Sequence, residues 1–147
     1  MKLILILVTF AFAFTVRAST PEQEKAFTDK YKAAFEGKDT AALESFLYTK
    51  GSDPSIVEFY KMMLSASAGG KITKIELLAL TAEEAKKAGE PQPSPDGGKV
   101  CSVLKPTKKL VIAVDSKEGE STSSSTSSNF VAEADGKLVI PVPGRCK

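Results

Sequence analysis

The sequence predicts an α+β domain in which helices cover one face of an antiparallel sheet, and three observations carry that prediction. Apolar residues recur at helical spacing through the first half of the chain. β-branched and alternating runs dominate the second half. Between Phe130-Val131-Ala132 and Leu138-Val139-Ile140 stands Asp135-Gly136, a dipeptide suited to the positive φ angles of a two-residue hairpin turn. Helices first and antiparallel strands afterwards is the order expected of an α+β fold.

The opening stretch is of a different kind. Fourteen of residues 1–18 are apolar, and the two charges there, Lys2 and Arg17, are positive. Leu3 to Phe14 carry no charge, and Val16 and Ala18 put apolar or small residues at the positions a signal peptidase reads. Residues 1–18 are therefore expected to be a cleaved signal peptide, cut between Ala18 and Ser19. Its apolar run makes a helix of roughly 20 Å, short of the ~30 Å hydrocarbon core. No Cys follows it for lipid attachment, and no membrane span is expected after cleavage. Residues 19–147 then form a single domain of 129 residues, with eighteen charges of each sign. The expected location is the periplasm or the extracellular space.

Each element has a local reason. Thr20 N-caps a helix with Pro21 at its first position and Gln23 completing a capping box; Phe27, Tyr31, Ala34 and Phe35 form its buried stripe, and Gly37 stops it. Asp39 starts a second short helix, with Ala42, Leu43, Phe46 and Leu47 on one side and its end near Gly51. Asp53-Pro54 opens a third, with Ile56, Phe59, Tyr60 and Met63 facing inward and Gly69-Gly70 closing it. Residues 71–80 read as a strand, Thr81 and Glu84 as the capping box of a short surface helix ending at Gly89, and 90–98 as a Pro-rich loop. Strands are expected at 100–104, 109–116, about 122–134 and 137–142. The Ser/Thr run at 121–128 is read as the exposed half of a long strand, with a flexible or O-glycosylated segment as the alternative.

Composition excludes several chemistries. The chain has no His, which removes imidazole metal ligands, His general bases and Ser/His/Asp or Cys/His nucleophile systems. A domain of zero net charge has no bulk attraction for nucleic acid. Cys101 and Cys146 are an even pair in an oxidising compartment, so a disulfide is expected; closing that loop stabilises by about 4 kcal/mol on the chain-entropy argument. In a plain meander the two cysteines fall at opposite ends, so the bridge requires the chain before Pro106 to bend back or the strand order to differ.

Other apparent motifs are structural. Gly69-Gly70-Lys71 and Gly97-Gly98-Lys99 lack the remaining elements of a P-loop and read as turns. Lys105-Pro106-Thr107-Lys108-Lys109 reads as a solvated strand entry, and Pro91, Pro93 and Pro95 as an ordinary loop. The carboxylates lack calcium-loop spacing, no metal or other cofactor is expected, and the lone Asn129 is not in a glycosylation sequon.

Two segments carry a family resemblance. The stretch from Tyr31 through Phe35, Gly37 and Asp39 to Leu43 is similar to the opening of nuclear transport factor 2-like domains, where a first helix ends in Gly and a short second one restarts at once. Phe130 through Asp135-Gly136 to Ile140 resembles that superfamily's last hairpin, with Leu138 where an aromatic residue is common. The resemblance implies a cone: a strongly curved antiparallel sheet wrapped on the N-terminal helices, with an apolar cavity at its open end. The superfamily contains isomerases, dehydratases, cyclases and epoxide hydrolases as well as exported domains without known chemistry, so the fold alone does not choose a function.

Two of those chemistries fail on residues. The dehydratase pair needs a His, and the epoxide hydrolase group needs an Arg among carboxylates, whereas Arg145 is the only Arg after the leader. An isomerase-like acid/base mechanism is compatible with composition, with Tyr31, Tyr48 or Tyr60 and Glu58 or Asp115 as candidates, although none lies in a matching motif. The first expectation is thus a non-catalytic exported domain that binds a small apolar ligand or a protein partner in a cavity lined by Phe27, Tyr31, Phe59 and Tyr60. A His-free acid/base enzyme is the second and an envelope interaction protein without a pocket the third; self-association as a homodimer fits any of them.

Overall fold

The structure, a computed structural model, describes residues 18–147. The expected signal peptide, apart from Ala18, lies outside them. Four helices and eight strands follow in the order α1 (Pro21–Glu36), α2 (Thr40–Glu44), β1 (Leu47–Tyr48), α3 (Pro54–Ser67), β2 (Lys71–Ala79), α4 (Ala82–Gly89), β3 (Gln92–Pro93), β4 (Lys99–Cys101), β5 (Lys108–Glu118), β6 (Ser121–Ala134), β7 (Lys137–Pro141) and β8 (Gly144–Arg145).

Local chemistry sets the helix starts. At α1 the Thr20 hydroxyl accepts from the Gln23 N–H and the Gln23 side chain accepts from the Thr20 N–H; Thr81 and Glu84 repeat the arrangement at α4. Asp39 and Asp53 cap α2 and α3 by accepting from the N–H groups of Ala42 and Ser55. Each such cap satisfies an otherwise orphaned donor and contributes about 1 kcal/mol. The second helix is shorter than its apolar spacing predicts. It stops at Glu44, and Leu47 and Tyr48 pair in parallel with Ile140 and Pro141 of β7. A tertiary contact here wins over helical periodicity, because the strand lets the Phe46 and Tyr48 carbonyls accept from the Ile140 and Val142 N–H groups.

The main sheet is open, with strand order β1-β7-β6-β5-β2. The β6–β7 turn has φ of 51° at Asp135 and 73° at Gly136, the conformation that the Asp-Gly pair anticipates. Directly opposed residues share a face, so register fixes what α1 covers. On that face lie Ile72, Ile75 and Leu77 of β2, Leu110, Ile112 and Val114 of β5, Val131 of β6, and Leu138 and Ile140 of β7. Phe27, Tyr31, Ala34 and Phe35 of α1 pack against them, with Leu43 and Phe46 closing the end. Burying each of these large side chains stabilises by roughly 1.5–3 kcal/mol.

A second, smaller sheet has the order β3-β4-β8 and answers the topological question raised by the cysteines. The strand expected at 100–104 is Lys99–Cys101, and it belongs not to the meander but to this separate sheet, antiparallel to both β3 and β8. The chain turns through residues 102–107 before entering β5. Cys101 and Gly144 are register partners, which brings the Cys101 and Cys146 Cα atoms to 5.0 Å and joins the sulfurs in a disulfide. Gly144 is required by crowding: a Cβ there would stand 2.4 Å from the Gly51 carbonyl oxygen.

Candidate functional site

The face covered by α1 changes character along β6. Counting back from the hairpin, Glu133, Val131, Asn129, Ser127 and Ser125 occupy the same face, so its apolar lining ends at Val131. Ser121–Ser128 are exposed throughout, although Tyr31 and Phe35 of α1 border the same recess as Ser127 and Ser128. Side chains of α3 and of β6 line the same recesses. The result is a groove between α3 and β6.

Two adjoining recesses make up the groove and share Phe59, Tyr60 and Asn129. The first, about 290 Å³, has Tyr31, Phe35 and Ile112 at its floor, Phe59, Tyr60, Met63, Leu64 and Ser67 on the α3 side, and Ser127, Ser128 and Asn129 opposite. The second, about 320 Å³, runs toward the small sheet, between Ile56, Phe59 and Tyr60 and the prolines Pro93, Pro95, Pro106, Pro141 and Pro143. Both are mostly apolar with a few hydroxyl and amide groups, and Lys87 and Glu90 also line the second, a composition typical of ligand sites.

Tyr31 is buried, and burial alone pushes its phenol up to about 12; burial also raises that of Tyr60. No carboxylate lines the recess that contains both phenols. The acids considered from sequence are engaged elsewhere: Glu58 is exposed and 3.3 Å from Lys61, and Asp115 Oδ1 accepts from the Ser124 hydroxyl at 2.5 Å. Among the described residues no cluster of three or more His, Cys, Asp or Glu side chains could hold a metal ion. No helix there is long and apolar enough to cross a membrane.

The structure brings Tyr31, Phe59 and Tyr60 together at the groove and places Phe27 elsewhere. Phe27 lies within the core, its ring edge-on to Phe46 at 5.2 Å between centroids, one helical turn nearer the start of α1 than Tyr31. Met63, expected to face inward, is 51% exposed at the groove rim. Asn129, Ser127, Met63, Leu64 and Ile112 were not legible as site residues from their types alone. A signal was nevertheless present: period-two counting back from Asp135-Gly136 puts Asn129 and Ser127 on the face of Val131.

Beyond the groove, one ion-pair cluster ties the small sheet to the start of α3, and it sets Arg145 between two carboxylates that the sequence reading did not find. Arg145 Nε donates to Asp53 Oδ2 at 2.8 Å, while its two terminal nitrogens grip both oxygens of Asp96. The Ser55 hydroxyl and then Arg145 hold the Asp53 carboxyl down at about 2, and Arg145 holds Asp96 well below the usual carboxylate range.

No family model and no curated protein matches the chain. Among solved structures it is similar to the helical cell shape determining protein Pgp2 from Campylobacter jejuni, at 14% identity over 78% of this chain with a TM-score of 0.41. The matched part spans 37% of that protein's length.

Proposed function

We propose that this chain is an exported, non-catalytic binding domain with a cone-like arrangement of the nuclear transport factor 2 type, and that the α3–β6 groove takes a small apolar ligand. The observation that carries this reading is the change on β6 from Val131 to Asn129, Ser127 and Ser125, opposite which Phe59, Tyr60 and Leu64 of α3 stay only partly buried and Met63 stays exposed. Apolar surface left open in this way gains free energy when a ligand removes it from water. The polar groups at the rim would orient that ligand, and no carboxylate lines the recess that holds Tyr31, which supports binding there over acid/base catalysis. A solvatochromic apolar dye tests this directly. It should bind the wild-type protein saturably and at least tenfold more weakly to Phe59→Ala and Tyr60→Ala variants; equal binding by all three overturns the reading.

A protein partner is favoured by a separate observation. Strand β6 pairs with β7 only through Ala132, Glu133 and Ala134, which leaves the 121–130 edge unpaired on that side among the described residues. That edge contains no charge and no Pro, the usual protections of an edge strand. An added extended segment would satisfy its backbone groups. The substitution Thr126→Pro should abolish capture of such a segment while leaving dye binding in place.

A further inference from the structure

Ser19 follows the peptide bond at which the leader is expected to be cut, and its main-chain nitrogen lies 3.0 Å from Glu133 Oε1. The Ser19 hydroxyl donates to Glu24 Oε1 at 2.9 Å, and Lys108 Nζ is 2.9 Å from the same oxygen. Lys108 therefore answers Glu24, and holds its carboxyl below the ordinary value. Glu133 is different. It is half-buried on β6, and among the described residues no Lys or Arg forms an ion pair with it. A peptide N–H satisfies one lone pair of a carboxylate without balancing its charge.

We infer that hydrolysis of the Ala18–Ser19 bond completes this site, by creating at Ser19 an ammonium group that pairs with Glu133. Water supplies the balance: the C–N bond breaks, Ala18 keeps a carboxylate and Ser19 keeps the amine, which is protonated at neutral pH. The nitrogen need not move, because it is already at hydrogen-bond distance. An ammonium just ahead of the Thr20 cap would by itself oppose the α1 dipole, whose N-terminal end is positive. Glu133, from the opposite end of the sequence, supplies the countercharge and ties the start of α1 to the β6–β7 hairpin. The Glu133 acceptor thus fits a charged amine better than an amide.

The inference rests on the exported reading for the cut and on geometry for the pairing, and two measurements separate them. The mass of the exported chain should begin at Ser19; a different first residue overturns the cut. The 19–147 protein with a free Ser19 amine should melt higher than the same protein acetylated there. Glu133→Gln should raise the unfolding equilibrium constant about fivefold in the free-amine form and by less than twofold in the acetylated form, in keeping with the scale of a well-placed ion pair. Equal melting of the two wild-type forms, or an equal effect of the substitution in both, overturns the pairing whichever residue is found at the mature terminus.

Discussion

Ile112 and Ser127 are direct cross-strand partners on one face of the sheet, yet the first is buried and the second exposed. Opposed residues in an antiparallel pair normally share a degree of burial, since the same covering layer lies over both. The boundary of the layer formed by α1 runs between these two side chains. That boundary is the inner wall of the groove.

Ser127→Val extends the apolar face across the boundary. Val suits a strand better than Ser, so urea denaturation should show unchanged or slightly raised stability, by less than about 1 kcal/mol. The added methyl groups should also enlarge the apolar wall of the recess and alter dye affinity at least threefold, while Thr126→Val, on the opposite face, leaves affinity unchanged.

Tyr31→Phe removes a phenol whose raised value comes from burial alone. At neutral pH the substitution should change stability by less than about 1 kcal/mol, because no protein hydrogen bond is lost. The alkaline limb should differ. An unfolded Tyr ionises near 10, whereas the folded one holds its proton up to about 12, so the unfolded state binds fewer protons between those values and wild-type stability falls as pH rises through them. The variant should show a shallower fall in denaturation series run across that window.

Arg145→Met should change the acid limb instead. Asp53 and Asp96 both sit below their ordinary values, so the stability they contribute is present above about pH 4 and is lost as pH falls toward 2. Without the guanidinium, Asp53 keeps its Ser55 hydrogen bonds and Asp96 loses its main partner. The midpoint of acid unfolding, followed by circular dichroism, should move to higher pH.

Reduction of the Cys101–Cys146 bridge should lower the unfolding free energy by about 4 kcal/mol, the chain-entropy value for a loop of this length. Urea titrations of the oxidised protein and of a Cys101→Ser/Cys146→Ser variant measure it. Because the bridge acts on the unfolded chain, the loss should appear in the globally exchanging amides of the main sheet.

What the sequence made legible was local. Thr20 with Gln23, Thr81 with Glu84, and Asp135-Gly136 each specify their structure within four residues, and all appear as read. The 121–134 strand was legible for the same reason, because it runs straight into that turn. The failures are non-local. Leu47 leaves the helical pattern for a two-residue parallel pairing with a strand more than ninety positions away. Val103 and Leu104 look like strand residues, but the pairing of Cys101 with Gly144 pulls the chain out of the main sheet before them. Likewise, Phe27 and Tyr31 belong to one helical stripe, are alike by spacing and both lie in the core, yet only Tyr31 lines the groove. The Arg145 contacts with Asp53 and Asp96 have no sequence signal, since 92 and 49 positions separate the partners.

The order of the bridged cysteines along the chain has a consequence for biogenesis. Every strand of the main sheet precedes Cys146, and β5, β6 and β7 all lie inside the covalent loop it closes. A chain made from its amino end therefore exposes a lone Cys101 thiol throughout the synthesis of those three strands. Oxidation to the native pair is possible only once they exist, so the bridge acts as a latch that fastens a finished sheet rather than a scaffold that guides its assembly.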